Sequence, residues 1–338
     1  MALVDWDLAV STAARLGPTG PTVSLGEATS VVAQLRVLAV EAEGHVAVHT
    51  GLTPVLQDGG VKVVDRPTWA EVNVAGLKSV INPLADKLLR KTPPLAGAVG
   101  SKIAGVQAGA LLAYLSGKVL GQYDVFERDP GQLLLVAPNI VAVERKLKVD
   151  PHDFRMWVCI HEMTHRTQFT AVPWLRGHFL SEVRAYIDAA EPSGQLMRAA
   201  SRIVDVARGH EGASLLDVMQ TPEQKVILDR LTCILTLLEG HAEFVMDEVG
   251  PDVIASVAQI RASFDRRRNT ATPVEQYLRR LFGMDIKLKQ YAQGRKFVAH
   301  IIGEVGMERF NKVFTSPETL PLIGELSDPG AWITRVAP

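Results

Sequence analysis

Residues 157–169 read Trp-Val-Cys-Ile-His-Glu-Met-Thr-His-Arg-Thr-Gln-Phe, and the rest of the chain is best understood outward from them. Within this stretch His161-Glu162-Met163-Thr164-His165 is an HExxH sequence. On a helix, residues i and i+4 stand one above the other on one face. Two imidazoles so placed can reach a single tetrahedral Zn²⁺ at about 2.0–2.1 Å. Glu162, one position after the first histidine, then sits beside the metal rather than on it, where it can take a proton from a zinc-bound water. The spacing works only on a helix, and the flanks predict one over 151–171. Asp150 is a helix cap, Pro151 suits the first helical position, and Asp153 opposes the helix dipole in the first turn. Phe154, Trp157, Val158 and Ile160 supply an apolar face. The competing reading is a polar helix face with two hydrogen-bonded histidines.

Most other segments also carry helical spacing. Helices are expected over 26–44, 67–91, 179–190, 194–208, 222–249, 252–264, 273–282, 284–292 and 294–303. Pro83 should kink or split the second of these, and Pro93-Pro94 should end it. The clearest strand is 132–136 (Gln-Leu-Leu-Leu-Val), after the turn cluster Asp129-Pro130-Gly131, with a continuation near 140–143. The expected fold is therefore mainly α, with a small β element before the histidine helix. Residues 1–130 read as an N-terminal helical region and 131–338 as the catalytic region, although one continuous domain fits equally. Residues 103–120 are apolar enough to raise a membrane span, but Gln107, Ser116 and Lys118 interrupt them. A tightly packed core helix with Gly105, Gly109 and Ala113 at its contact is the expectation. Residues 265–270 (Asp-Arg-Arg-Arg-Asn-Thr) read as a solvated basic loop.

Composition narrows the function. The 338 residues carry 36 Lys+Arg against 37 Asp+Glu, a formal net charge of -1. A nucleic-acid binder would show a basic stripe, and a lipid-bound protein a polybasic segment. Cys159 and Cys233 are too few for a disulfide framework and fit buried thiols in a reducing compartment. Asp5 and Asp7 interrupt what would be the apolar core of a leader sequence. A cytoplasmic protein is expected, acting on a peptide or small amide, without nucleic acid or membrane partners. Exposed apolar helices in 1–130 would leave a homo-oligomer open.

A zinc centre needs a third protein ligand and an open fourth position to be catalytic. Residues 229–249 supply acids at Glu239, Glu243 and Asp247, four apart on one face of an otherwise apolar helix. Carboxylates there are costly to bury unless a cation compensates them, and a solvent-facing stripe is the other reading. By spacing alone, Glu239 or Glu243 can coordinate. His241, about 200° around from Glu239, should point away and serve packing or the surface.

The order Glu239-Gly240-His241-Ala242-Glu243 resembles the second metal helix of gluzincin peptidases. That resemblance implies Glu239 as ligand and Glu243 as the acceptor of the other ring N–H of His161 or His165. A shifted register would make Glu243 the ligand and Asp247 the supporting acid. The run WVCIHEMTHRTQF with VPWLRGHF, and the C-terminal KLKQYAQGRKFV and VGMERFNKVFTSPETLP, resemble an actinobacterial zincin-like metallohydrolase family. Its members are sometimes labelled as associated with deazaflavin-coenzyme biosynthesis. The resemblance covers nearly the whole chain and implies a zincin-like, mainly helical fold and Zn²⁺, but no substrate.

His178, in an expected loop after the histidine helix, and Tyr291, near an expected helix end capped by Gly294, could donate to a developing oxyanion. An exposed loop histidine and a core tyrosine are the simpler readings, as is a surface ion pair for Arg184 with Glu182 and Asp188. His45 and His49 flank Val46-Ala47-Val48, which reads as extended chain and would hold them about 13 Å apart. Together the residues predict a zinc metallohydrolase, with a peptidase as the leading class and Glu162 as base. The alternatives are a non-catalytic protein whose zinc locks helices for partner binding, marked by a fourth protein ligand, and a hydrolase of small-molecule amides.

Overall fold

The computed structural model describes residues 3–88, 94–189, 221–269 and 284–338. In chain order it contains α1 (Trp6–Leu16), α2 (Leu25–Thr50), β1 (Val61–Val64), α3 (Arg66–Leu88), α4 (Pro94–Ser116), β2 (Gly121–Asp124) and β3 (Gln132–Val136). There follow α5 (Ala137–Leu147), α6 (Pro151–Ala171), α7 (Leu175–Asp188), α8 (Pro222–Val253), α9 (Val257–Asn269), α10 (Met284–Phe310) and α11 (Pro329–Val336). The mainly helical expectation holds, with a small sheet of order β1-β3-β2. β1 lies parallel to β3, with Val61 opposite Leu133, and β2 antiparallel, with Gly121 opposite Leu135.

β3 is buried along its whole length, and its pleat divides two apolar layers. Successive side chains of a strand point to opposite faces. Leu133 and Leu135 enter a large core with Leu35 and Leu38 of α2, Phe154 and Ile160 of α6, Leu237 of α8 and Phe297 of α10. Leu134 and Val136 face Trp6, Ala9, Trp69, Val74 and Leu112 from α1, α3 and α4. The sheet thus joins strands from both sides of residue 130, and the histidine helix packs directly on α2 and α8.

Several local expectations are corrected. His45 and His49 lie inside α2, which runs on to Thr50 and ends at Gly51 in the left-handed conformation. Burial of Val46 and Thr50 favours continued helix over the extended habit of the valines. His45 accordingly sits 3.9 Å from Glu41, one turn away. α3 continues past Pro83 to Leu88. Residues 140–143 belong to α5, which starts immediately after β3 with proline at its first turn. The region around His178 is the start of α7 rather than a loop. Residues 265–269 continue α9. α10 is one element across the expected break at Gly294; its backbone departs from helix instead at Gly306, where φ is 82°. The expected helices at 194–208 and 273–282 fall outside the described residues.

The apolar segment 103–120 is not a buried core helix. It forms the second half of α4, which ends at Ser116, and only 22 % of the window Gly97–Ser116 is buried. Gly105 and Gly109 press against the carbonyls of Asp5, which caps α1, and of Ala9 within it, so the small residues do make a close helix contact. α1 is too short to cover both faces, and Val99, Ile103 and Val106 remain exposed. Among the described residues this is the one helix long and apolar enough to cross a membrane. Cys159 and Cys233 are free and buried.

Candidate metal centre

α6 is built as its sequence predicts. The Asp150 carboxylate accepts from the Asp153 N–H at 3.0 Å, and Pro151 opens the helix. The Asp153 carboxylate also accepts from the Ser256 N–H and Oγ–H at 2.9 and 2.7 Å, tying the start of α6 to the turn before α9. Farther along, Arg155 donates to both oxygens of buried Glu144 on α5. Arg166 clasps Asp58 and Glu43, holding the segment after α2 beside the histidines. The backbone carrying the motif is therefore fixed from several sides.

One turn apart, His161 and His165 set their rings edge to face, 4.8 Å between centroids. Their Nε2 atoms lie 3.3 Å apart. From α8, Glu239 brings Oε2 to 3.8 Å from His161 Nε2 and Oε1 to 3.7 Å from His165 Nε2. All three donor atoms fall within 4.8 Å of one another. Ligands at about 2.0–2.1 Å from a tetrahedral Zn²⁺ would stand roughly 3.3–3.4 Å apart, so the donor set suits such a cation. Two imidazole nitrogens and a carboxylate are also the chemistry zinc takes. The side chains remain partly open, at 23 %, 13 % and 29 % exposure for His161, His165 and Glu239.

Glu239 is the acid that closes this group; Glu243 is half-buried one turn later. Asp247 pairs with Arg261 and with Arg295, the latter at 2.6 Å. Two nearby arginines give its carboxylate a closer source of positive charge than a neutral imidazole. The position of Glu239 depends on its neighbour Gly240. A Cβ built there would meet the Gly294 carbonyl carbon at 2.2 Å, so α8 and α10 cross in direct backbone contact.

Glu162 is buried at 6 % exposure. Burial, with the negative charge of Glu239 adding to it, pushes its pKa up to about 8. A cation between the histidines and Glu239 acts in the opposite direction, favouring the carboxylate. Gly121, the first residue of the outer strand β2, lies against this carboxyl: a Cβ there would stand 2.5 Å from Glu162 Cδ.

Sequence reasoning missed three residues. Gln168, fully buried one turn beyond His165, places Oε1 3.0 Å from His165 Nδ1. Its Nε2 lies 3.0 Å from the Leu238 carbonyl and 3.1 Å from His241 Nδ1. The i,i+3 spacing from His165 was a usable signal for it. Met246, with Sδ 3.0 Å from His161 Nδ1, and Gly121 carried none. His241 is buried as packing, against Phe310 and Phe314. His178 is half-buried on the first turn of α7, 5.9 Å from the Trp174 ring. Arg184 is exposed, its neighbour Glu182 pairing with Arg230 at 2.8 Å. Tyr291 falls in α10, and its side chain lies outside the described residues.

A helix bearing two histidines and an adjacent glutamate, faced by an acid from a second helix and flanked by a sheet edge, defines a zincin-type centre. The chain belongs to the zincin-like metallopeptidase family, whose model matches residues 4–333. It also resembles a crystal structure from Chloroflexus aurantiacus described as a candidate hydrolase with a novel fold. The two share 30 % identity over 98 % of each chain, with a TM-score of 0.73. Comparison with curated proteins returns no match.

Proposed function

We propose that this protein is a zinc-dependent peptidase in which His161, His165 and Glu239 hold the cation and Glu162 is the general base. The observation that carries this reading is the convergence of those three donor atoms at separations suited to one tetrahedral ion. A divalent cation held there supplies Lewis acidity, making a water easier to deprotonate and a carbonyl easier to attack. Glu162 takes the proton from the attacking water and delivers it to the leaving amine as the amide bond breaks. Its burial beside the histidines keeps bulk water from competing for that proton. Among the described residues, no fourth protein donor joins the group. With His161, His165 and Glu239 as the three protein ligands of a tetrahedral ion, the fourth position would fall to water, as a catalytic rather than a structural zinc site requires. A peptide is favoured over a small amide because β2 is one of the sheet's two edge strands and begins against Glu162. An extended chain laid along such an edge would bring its amide to the base.

The test combines metal analysis of the purified protein with mass-spectrometric detection of cleavage in a mixed peptide library. Wild-type protein should carry about one zinc per chain and cut a subset of peptides. Glu162→Gln should keep the zinc and lose about 10²–10⁴-fold in rate. Full activity in Glu162→Gln, or protein unable to hold a divalent cation, refutes the reading.

A further inference from the structure

Gln168 carries no charge, yet its amide touches both elements of the centre. A backbone carbonyl only accepts, so the group 3.0 Å from the Leu238 oxygen must be the amide NH₂ of Gln168. The amide oxygen, an acceptor only, then faces His165 Nδ1 at 3.0 Å. It follows that His165 carries its ring proton on Nδ1 and presents the Nε2 lone pair toward His161 and Glu239. The same NH₂ group faces His241 Nδ1 at 3.1 Å, which must accept, so His241 is a neutral ring with its proton on Nε2. Packing against Phe310 and Phe314 fixes that ring in turn.

We propose that Gln168 is a positioning residue that locks the His165 tautomer and ties α6 to the turn of α8 carrying Glu239. The proposal rests on the reading that the histidines and Glu239 bind a cation. Leu238 immediately precedes Glu239, so one side chain orients a ligand on its own helix and sets the distance to the ligand on the other. Partners at this remove from a metal tune ligand orientation, and their loss typically costs 10–100-fold in affinity.

The test compares nitrogen-15-labelled wild-type, Gln168→Met and Gln168→Glu proteins, stripped of metal at alkaline pH so that the imidazoles are neutral. Long-range proton–nitrogen spectra report which nitrogen of His165 is protonated. The wild type should show the proton on Nδ1, Gln168→Glu should retain it because an oxygen still accepts, and Gln168→Met should lose or mix it. In chelator competition, Gln168→Met should bind Zn²⁺ about 10–100-fold more weakly. A wild-type proton on Nε2 overturns the proposal, as does Gln168→Met with unchanged tautomer and Zn²⁺ affinity. Should Gln168→Met not fold, the wild-type and Gln168→Glu spectra decide. Wild-type protein that takes up no Zn²⁺ refutes the cation reading, while the tautomer comparison still decides the role of Gln168.

Discussion

Gly121→Ala is the sharpest probe of how the base is held. The new methyl carbon would lie 2.5 Å from Glu162 Cδ, 2.6 Å from Cγ and 2.8 Å from Oε1. Carbon atoms pack at about 3.5–4.0 Å, so the carboxyl must retreat by roughly 1 Å. Glu162 has little room to do so smoothly, being buried between β2 and its own helix. A displacement of about 1 Å in a reacting group costs on the order of 10²-fold in rate, or about 2.7 kcal/mol of barrier. Glu162 is not one of the three converging donors, so zinc content should be unchanged. The assay is kcat/KM on a peptide cleaved by the wild type, with zinc content and Tm measured on the same samples. Wild-type kcat/KM in a folded, zinc-loaded Gly121→Ala protein would refute the argument. Loss of zinc and fold together would show that Gly121 serves the sheet rather than the base.

Chelation should lower Tm and zinc should restore it, because the cation would bridge α6 and α8; free ligand at 1,000 times Kd adds about 4.1 kcal/mol. Differential scanning calorimetry with and without chelator checks this. Gly240→Ala forces a methyl into the Gly294 backbone at 2.2 Å. It should cost about 1–3 kcal/mol or more by overpacking and weaken zinc binding through its neighbour Glu239, read by urea titration and chelator competition. Ser256→Ala removes the hydroxyl donor to Asp153 and leaves only the backbone N–H to tie it to the start of α6. Burial acts to raise the Asp153 carboxyl, but the Ser256 bonds and His152 outweigh it and hold it below the ordinary range. A depressed carboxylate stabilises the fold above its unfolded pKa of about 3.9, and that stability is lost as pH falls through the lower folded value. The Ser256→Ala deficit, about 1.5–3 kcal/mol at neutral pH for a charged hydrogen bond, should shrink to nothing in strong acid, measured by urea midpoints across pH.

The parts of this centre that could be read from the sequence are those set by local geometry. HExxH needs only a helical repeat, and Asp150-Pro151 announces where that helix begins. Glu239 was one of three acids on a single stripe; family resemblance favoured it, and the structure places it nearest the histidines. What stayed hidden depends on which surfaces meet. Gln168 owes its place to the Leu238 carbonyl of a distant helix, and Gly121 to a strand of four residues with little hydrophobic pattern. β1 and β2 escaped notice because short strands supported by β3 need no strong propensity of their own. The misreading of His45 and His49 has the same origin: Val46 and Val48 suggest extended chain, but burial of one face by α6 sustains the helix. α4 erred the other way, since apolar composition could not reveal that a short α1 covers only one of its sides.

The pleat of β3 has a mechanical consequence. Because alternate leucines of one five-residue strand are keyed into opposite layers, neither layer can melt without stripping cover from the other. Heat should therefore dismantle both in a single cooperative step, and a fragment beginning at residue 131 would start life with its central strand unpaired along both edges and uncovered on the Leu134 and Val136 face.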